Sequence, residues 1–196
     1  GLEINNPHLF DPNSPTQRVG GAVLDKFKTV KHKYKMLSLA NTYTSDDLFD
    51  FDKRLHKLTD DIFEYVCELK YDGISISLSY ENGQLVQAVT RGDGTQGDDV
   101  TENVKTIKSI PLKLNGDYPS NFEIRGEIFV PIAGLKQMNK KREQEGLEQY
   151  ANPRNTASSS LKLIDPKEVA KRPLDCYLYY LLGDKWPFNS HYDNLQ

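Results

Sequence analysis

Ile74-Ser75-Ile76-Ser77-Leu78-Ser79-Tyr80 alternates apolar and hydroxyl side chains, and Leu85-Val86-Gln87-Ala88-Val89 follows across Asn82-Gly83. A strand turns successive side chains to opposite faces, so the alternation predicts one buried face and one polar face. Asn-Gly between β-rich runs is the strongest short-range hairpin signal, because both turn residues tolerate positive φ. The hairpin sets the fold class as antiparallel sheet, with the other elements arranged around it.

Immediately before it stands Glu68-Leu69-Lys70-Tyr71-Asp72-Gly73. As an extended strand, this run places Glu68, Lys70 and Asp72 on one face and Cys67, Leu69 and Tyr71 on the other. Two readings are open: a salt-bridged lysine on an exposed strand, or a nucleophile. A free lysine titrates near about 10.4, so only about one in a few thousand is neutral at pH 7. Neighbouring carboxylates favour the charged form, so nucleophilic use needs burial or a further cation.

A second charged strand is predicted over 122–130. Phe122, Ile124, Gly126, Ile128 and Val130 share one face; Glu123, Arg125, Glu127 and Phe129 share the other. That face is either open to water or the floor of a polar cleft. Between the two strands, Arg91-Gly92-Asp93-Gly94 supplies glycines that admit close approach of backbone to a ligand, and an arginine suited to phosphate or ribose oxygens. Its aspartate spacing does not fit an EF-hand, and the chain has no G-x-x-x-x-G-K-[ST] phosphate loop. Ala151 to Ser160 is expected as a polar loop. Within it, Arg154 stands between amides and Ser158-Ser159-Ser160 leads to Lys162, donors of the kind that hold a phosphate backbone.

The rest is framework. Residues 1–35, with Pro7, Pro12, Pro15, Gly20 and Gly21, form an extended lead-in across the main body. Thr44 or Ser45 caps a helix running to Thr59–Asp61, with Leu48, Phe51, Leu55 and Leu58 as a buried stripe. A helix or turn follows Asp98 or Asp99 through Val100, Val104 and Ile107. Gly134 to Glu145 is a charged helix, with Leu135 and Met138 inward and Gly146 ending it. Asp165-Pro166 opens a short helix. Leu174 to Leu182 is an aromatic-rich strand, and the tail after Gly183 frays.

At 196 residues the chain can bury a sizeable core. Its 37% hydrophobic and 27% charged residues fit a soluble globular protein rather than disorder. No apolar run approaches the roughly 18 residues of a membrane helix, and no signal segment opens the chain. The net charge of −3 does not suit a generally basic nucleic-acid binder, although local patches remain open. Cys67 and Cys176 form no C-x-x-C pair and are expected as buried, reduced thiols of a cytoplasmic protein. His8, His32, His56 and His191 have no partner at metal-ligand spacing, so no metal ligand is assigned.

Eight segments in order resemble the adenylation domain of bacterial NAD-dependent DNA ligases. They are Ser14-Pro15-Thr16-Gln17-Arg18-Val19-Gly20, Met36-Leu37-Ser38-Leu39, the Glu68–Gly73 run and Thr90-Arg91-Gly92-Asp93-Gly94. Thr101-Glu102-Asn103-Val104, Ile124-Arg125-Gly126-Glu127, Ala151-Asn152-Pro153-Arg154-Asn155 and Lys171-Arg172-Pro173-Leu174 complete the set. The resemblance implies an α+β nucleotidyltransferase (ATP-grasp-like cleft) fold of DNA ligases and capping enzymes, with antiparallel sheets flanked by helices. It implies a covalent lysyl-AMP at Lys70 formed from NAD. AMP then passes to the 5′-phosphate of a nick in double-stranded DNA, and the 3′-hydroxyl seals the nick. By the same resemblance, Ser38 and Leu39 border the nucleotide and Glu68 contacts its adenine end. Arg91 and Glu127 hold the ribose, and Tyr179 stacks on adenine. Asp72 serves the later steps, Arg154 and Lys162 contact DNA, and Mg2+ assists.

The chain departs from the family with Tyr179-Tyr180 for Tyr-Gly, and with Ala157-Ser158-Ser159-Ser160-Leu161-Lys162 for Ala-Ala-Gly-Ser-Leu-Arg. It opens Gly1-Leu2-Glu3, and the family's nicotinamide-recognising helical segment and later lysine motifs find no match. The expectation is therefore a lead-in (1–35) and a partial adenylation domain (36–196), truncated on its C-terminal side, monomeric and inactive in nick sealing by itself. Rival readings are an ATP-dependent ligase or capping-type transferase, and a non-catalytic nucleotide- or DNA-binding domain of the same fold.

Overall fold

Asn82 and Gly83 adopt φ of 49° and 75°, the pair of positive values that a type I′ turn requires. On either side β2 (Ile74–Glu81) and β3 (Gln84–Thr90) pair antiparallel, with Val86 as the extra residue of a bulge opposite Ser79 and Tyr80. The bulge keeps Tyr80 and Leu85 directly opposite each other, and both are buried. The computed structural model describes residues 6–11, 14, 18–19, 26–184 and 188–195.

Two further strands extend the hairpin. β5 (Asn121–Phe129) pairs with β2, and β6 (Asp175–Leu182) pairs with β5, giving the antiparallel order β3-β2-β5-β6. β1 (Thr29–Lys31) and β4 (Gln96–Asp98) form a separate two-stranded ribbon. The described helices are α1 (Ser45–His56), α2 (Thr101–Val104), α3 (Ile132–Gln144), α4 (Pro153–Leu161), α5 (Pro166–Val169) and α6 (His191–Asn194). The architecture is α+β with antiparallel sheets. No described helix is long and apolar enough to cross a membrane.

The core lies on one face of the larger sheet. Ile76, Leu78, Tyr80 and Ile128 are packed under Val100, Val104, Ile107 and Leu161. Two polar side chains fasten this cover. Thr101 Oγ1 accepts the Ala88 amide at 2.9 Å, holding α2 to β3. The buried Asn103 Nδ2 donates to the carbonyls of Leu161 and Leu163 at 2.7 and 2.8 Å, satisfying acceptors that the end of α4 leaves free. Thr101 to Val104 is thus a structural staple. Arg18 donates to three carbonyls beyond it, those of Lys105, Ile107 and Ile110, at 3.0–3.1 Å.

Several expectations are corrected. α4 occupies the segment expected as a polar loop. Asn152 caps it by accepting from the amides of Arg154 and Asn155, Pro153 takes its first turn, and Thr156, Ala157, Ser160 and Leu161 are buried. Serine-rich composition concealed an Asn-Pro start signal. α1 has its expected cap, Thr44, in a capping box with Asp47. It ends at His56, however, and buries no residue. The rings of Phe51 and His56 pack against the following segment, at Tyr65 and Phe63, and with no residue of the helix buried the stripe is not part of the core. Cys67 is exposed, because residues 59–72 form no strand. The helix after Asp99 ends at Val104 and continues as turns. In the tail, Ser190 caps α6 by accepting from the Asp193 amide; 185–187 and 196 lie outside the described residues. So do 1–5, 12–13, 15–17 and 20–25 of the lead-in, with most of the Ser14–Gly20 motif.

Candidate active site

Opposite the core, the larger sheet presents a polar face. The register sets Ser75 against Glu127, Ser77 against Arg125 and Ser79 against Glu123. The Ser75 hydroxyl donates to Glu127 Oε2 at 2.7 Å and the Ser77 hydroxyl to Glu123 Oε2 at 3.0 Å. Alternating serines thus serve as donors to the carboxylates of the neighbouring strand. Glu127 is 7% exposed, and its Oε1 accepts the Gly73 amide at 3.0 Å.

That bond fastens the lysine segment to the sheet. A Cβ at Gly73 would stand 2.1 Å from the Ile128 carbonyl oxygen, so only glycine lets the chain lie this close to β5. Residues 68–72 themselves join no ladder, which corrects the strand expected there. They are tethered by side chains instead. Glu68 lies 3.4 Å from His191, and Asp72 Oδ1 accepts from Arg154 Nη1 at 3.1 Å. The Tyr71 ring stacks on Tyr177 at 4.5 Å. Lys70 is exposed and, among the described residues, has no hydrogen-bond or ion-pair partner. The burial that nucleophilic use could draw on is not supplied here, because this stretch stands beside the sheet rather than within it.

The other expected residues arrive through backbone contacts. The Arg91 amide donates to the Ser75 carbonyl at 3.2 Å, and its own carbonyl accepts from Gly94 and from His32 Nε2. Arg91 therefore starts its loop one residue-pair from Glu127 and is half-buried. Asp93 organises that loop by accepting from the Thr95 hydroxyl and from the amides of Thr95 and Gln96. These bonds, the Thr95 hydroxyl foremost, hold its carboxyl below the ordinary range. Tyr179 is the extra residue of a bulge, where Tyr180 faces Arg125 and Leu178 faces Gly126. Burial pushes its phenol up, and the Glu127 charge adds to this.

Ser38 and Leu39 follow the end of the extended lead-in, which lies across the main body as expected, although its partners there were not foreseen. His32 and Met36 amides donate to the carbonyls of Thr95 and Gly94, each at 2.9 Å. Arg125 Nη2 donates to the carbonyls of both Tyr34 and Lys35, also at 2.9 Å. Ser38 and Leu39 come two and three residues after the last of these bonds, at Met36, and both are exposed. Arg125 was visible on the charged strand, but nothing local showed that its partner is backbone roughly ninety residues away. Lys162 pairs with Asp98 at 2.8 Å rather than with the lysine segment. Among the described residues no three His, Cys, Asp or Glu side chains gather to hold a metal.

The geometry brings the carboxylate acceptors of β5, the start of the arginine loop and the tethered segment that carries the lysine to one end of a sheet. Acceptors of this kind suit hydroxyl groups, and the lysine amine can serve as a nucleophile once neutral.

The model of the NAD-dependent DNA ligase adenylation domain family matches residues 24–196. A DNA ligase of Flavobacterium psychrophilum is 60% identical over the whole chain, which covers 29% of that relative. DNA ligases of Flavobacterium johnsoniae and Parabacteroides distasonis are 57% and 55% identical over the whole chain, covering 29% and 30% of their lengths. The chain thus spans less than a third of the curated relatives it matches.

Proposed function

The chain belongs to the NAD-dependent DNA ligase adenylation domain family, and from that premise we propose that it is the nucleotide-transfer core of a ligase that takes AMP from NAD. The Lys70 amine attacks the α-phosphorus of NAD, nicotinamide mononucleotide leaves, and AMP stays on the lysine. AMP then moves to the 5′-phosphate of a nicked duplex, and the 3′-hydroxyl displaces it. The polar face of the β3-β2-β5-β6 sheet is one wall of the nucleotide cleft of a nucleotidyltransferase fold.

The observation that carries this reading is the bond from the Gly73 amide to Glu127, three residues past Lys70. It joins the lysine segment to the charged strand, which sequence alone left as two separate features. In the proposal Glu127 and Arg91 hold the ribose and Tyr179 stacks on adenine. Ser38, Leu39 and Glu68 border the base. Asp72 serves the later steps, while Arg154 and Lys162 contact the DNA phosphates. Mg2+, which keeps water and prefers phosphate oxygens, would travel with the phosphates of NAD, because the described residues offer no cluster of their own. The enzyme acts as a monomer in the cytoplasm.

The test supplies labelled NAD or labelled ATP to the full-length gene product. Label is expected on the protein from NAD and absent after Lys70→Ala. Label retained only from ATP, or nick sealing unchanged in Lys70→Ala, overturns the assignment.

A further inference from the structure

We propose that Tyr177 is a positioning residue for Lys70, acting through Tyr71; the inference rests on the lysine-adenylation reading and deepens it. Three rings lie nearly parallel. Tyr71 and Tyr177 are 4.5 Å apart at 22°, Phe129 and Tyr177 are 5.0 Å apart at 10°, and Tyr71 and Phe129 are 6.3 Å apart at 12°. Two of the rings belong to the paired strands β5 and β6, and the third belongs to the unpaired segment that carries the amine.

Tyr177 sits directly opposite Glu127 in the β5–β6 ladder. One register position therefore supplies two grips: Glu127 holds the Gly73 amide, and Tyr177 holds the ring next to Lys70. On the other side Leu69 is 77% exposed, and Lys70 has no partner among the described residues. Between the His191 contact at Glu68 and the Arg154 bond at Asp72 no ladder hydrogen bond holds this segment, so the stack fixes how the backbone at Lys70 and Tyr71 points.

The step served forms the bond from Lys70 Nζ to phosphorus. It breaks the phosphorus–oxygen bond to nicotinamide mononucleotide, which leaves with the electron pair. The lysine nitrogen gives up two protons, one to solvent as the ammonium becomes the attacking amine and one to solvent or the leaving phosphate as the phosphoramide forms. Such attack needs reacting atoms aligned at about 3–3.5 Å. Loss of the stack spreads the amine over unproductive positions, while Glu68 stays against His191, Asp72 on Arg154 and Gly73 on Glu127, and the NAD-binding groups on the sheet keep their places.

The experiment uses the full-length gene product with Tyr177→Leu, which keeps apolar bulk and loses the ring, and Tyr177→Phe, which keeps the ring. Three quantities are read: single-turnover AMP transfer from labelled NAD, the half-saturating NAD concentration, and sealing of a nick already carrying 5′-AMP, which needs no lysine attack. Tyr177→Leu is expected to slow AMP transfer at saturating NAD about tenfold or more, with the other two readouts within about twofold of wild type. Tyr177→Phe restores the rate. Unchanged AMP transfer overturns the proposal, and so does a loss shared equally by the pre-adenylated nick, which marks a general structural defect. Should Tyr177→Leu not fold, Tyr71→Leu removes the stack from its other side and is read in the same way. Label persisting in Lys70→Ala would sink the underlying lysine reading instead, so the two failures are distinguishable.

Discussion

Arg154 donates to Asp72 across 3.1 Å and so ties the first turn of α4 to the lysine segment. The two side chains are 53% and 70% exposed, and a pair this wet contributes roughly 0–1 kcal/mol. A bond of that strength exchanges readily for a DNA phosphate, which gives Arg154 a free-state partner and, in the proposed function, a bound-state one. Asp72→Asn and Arg154→Ala are each expected to change unfolding stability by less than about 1 kcal/mol in urea titrations. In the full-length gene product, Arg154→Ala should weaken binding to a nicked duplex and lower the salt slope by about 1. An unchanged slope would assign the arginine to structure alone.

Glu127 is the opposite case. Its carboxylate is buried and accepts from both the Gly73 amide and the Ser75 hydroxyl. Glu127→Ala leaves two donors without an acceptor in a place water reaches poorly, which costs about 1–3 kcal/mol. Glu127→Gln keeps one acceptor and the side-chain volume, so its loss should be the smaller. Urea unfolding of the two variants checks the order. Equal stability of Ala and wild type would mean that the lysine segment is held elsewhere.

The contrast shows which parts of the molecule were legible in the sequence. The hairpin, β5 and its two faces, and the cap of α1 could be read because each signal is local: alternation, Asn-Gly, Thr44 with Asp47. Facing alone set Ser75 and Glu127 each on a polar face, yet neither their register nor the donor-acceptor pairing followed, because both need two strands brought together from about fifty residues apart. α4 was missed because its buried stripe is Thr, Ala and Ser, residues whose burial depends on what covers them. The strand expected at 68–72 failed for a related reason. Alternation predicts facing, but only a free neighbouring edge makes a strand, and the edge nearest this segment is already shared by β2 and β6 along β5. The aromatic stack at Tyr71 supplies the hold that a ladder would have given.

The two cysteines should separate chemically. Burial pushes the Cys176 thiol up to about 12, with Asp175 and Glu127 adding to the shift, whereas Cys67 is exposed. A thiol whose folded value is raised contributes stability in full below its ordinary value near 9 and loses it as pH rises toward 12. The thiolate is the reactive form. A charged alkylating reagent at pH 8 is therefore expected to couple once, at Cys67, and to reach Cys176 only in denaturant. Peptide mass mapping reads both sites. Stability should be insensitive to Cys176 from pH 6 to 8 and should fall above pH 9 less steeply in Cys176→Ala. Native labelling at Cys176 would show that β6 opens.

Arg18 makes a different kind of claim, that a residue of the loop-rich lead-in is part of the fold. Its guanidinium spans three carbonyls, of Lys105, Ile107 and Ile110, and the turns between them carry two core side chains, Ile107 and Ile110. A planar fork can reach several acceptors at once; an ammonium is a single point charge on a flexible stem. Arg18→Ala is expected to destabilise the chain by about 1–3 kcal/mol, because it strips partners from carbonyls that packing holds in place, and Arg18→Lys should recover little of this. Amide exchange at Thr106, Ile107 and Ile110, whose own bonds run to Asn103, Val104 and Ile107, should quicken in step. If stability falls while these amides keep their protection, the arginine acts on the lead-in alone. If neither changes, the clasp adds nothing to the core it touches.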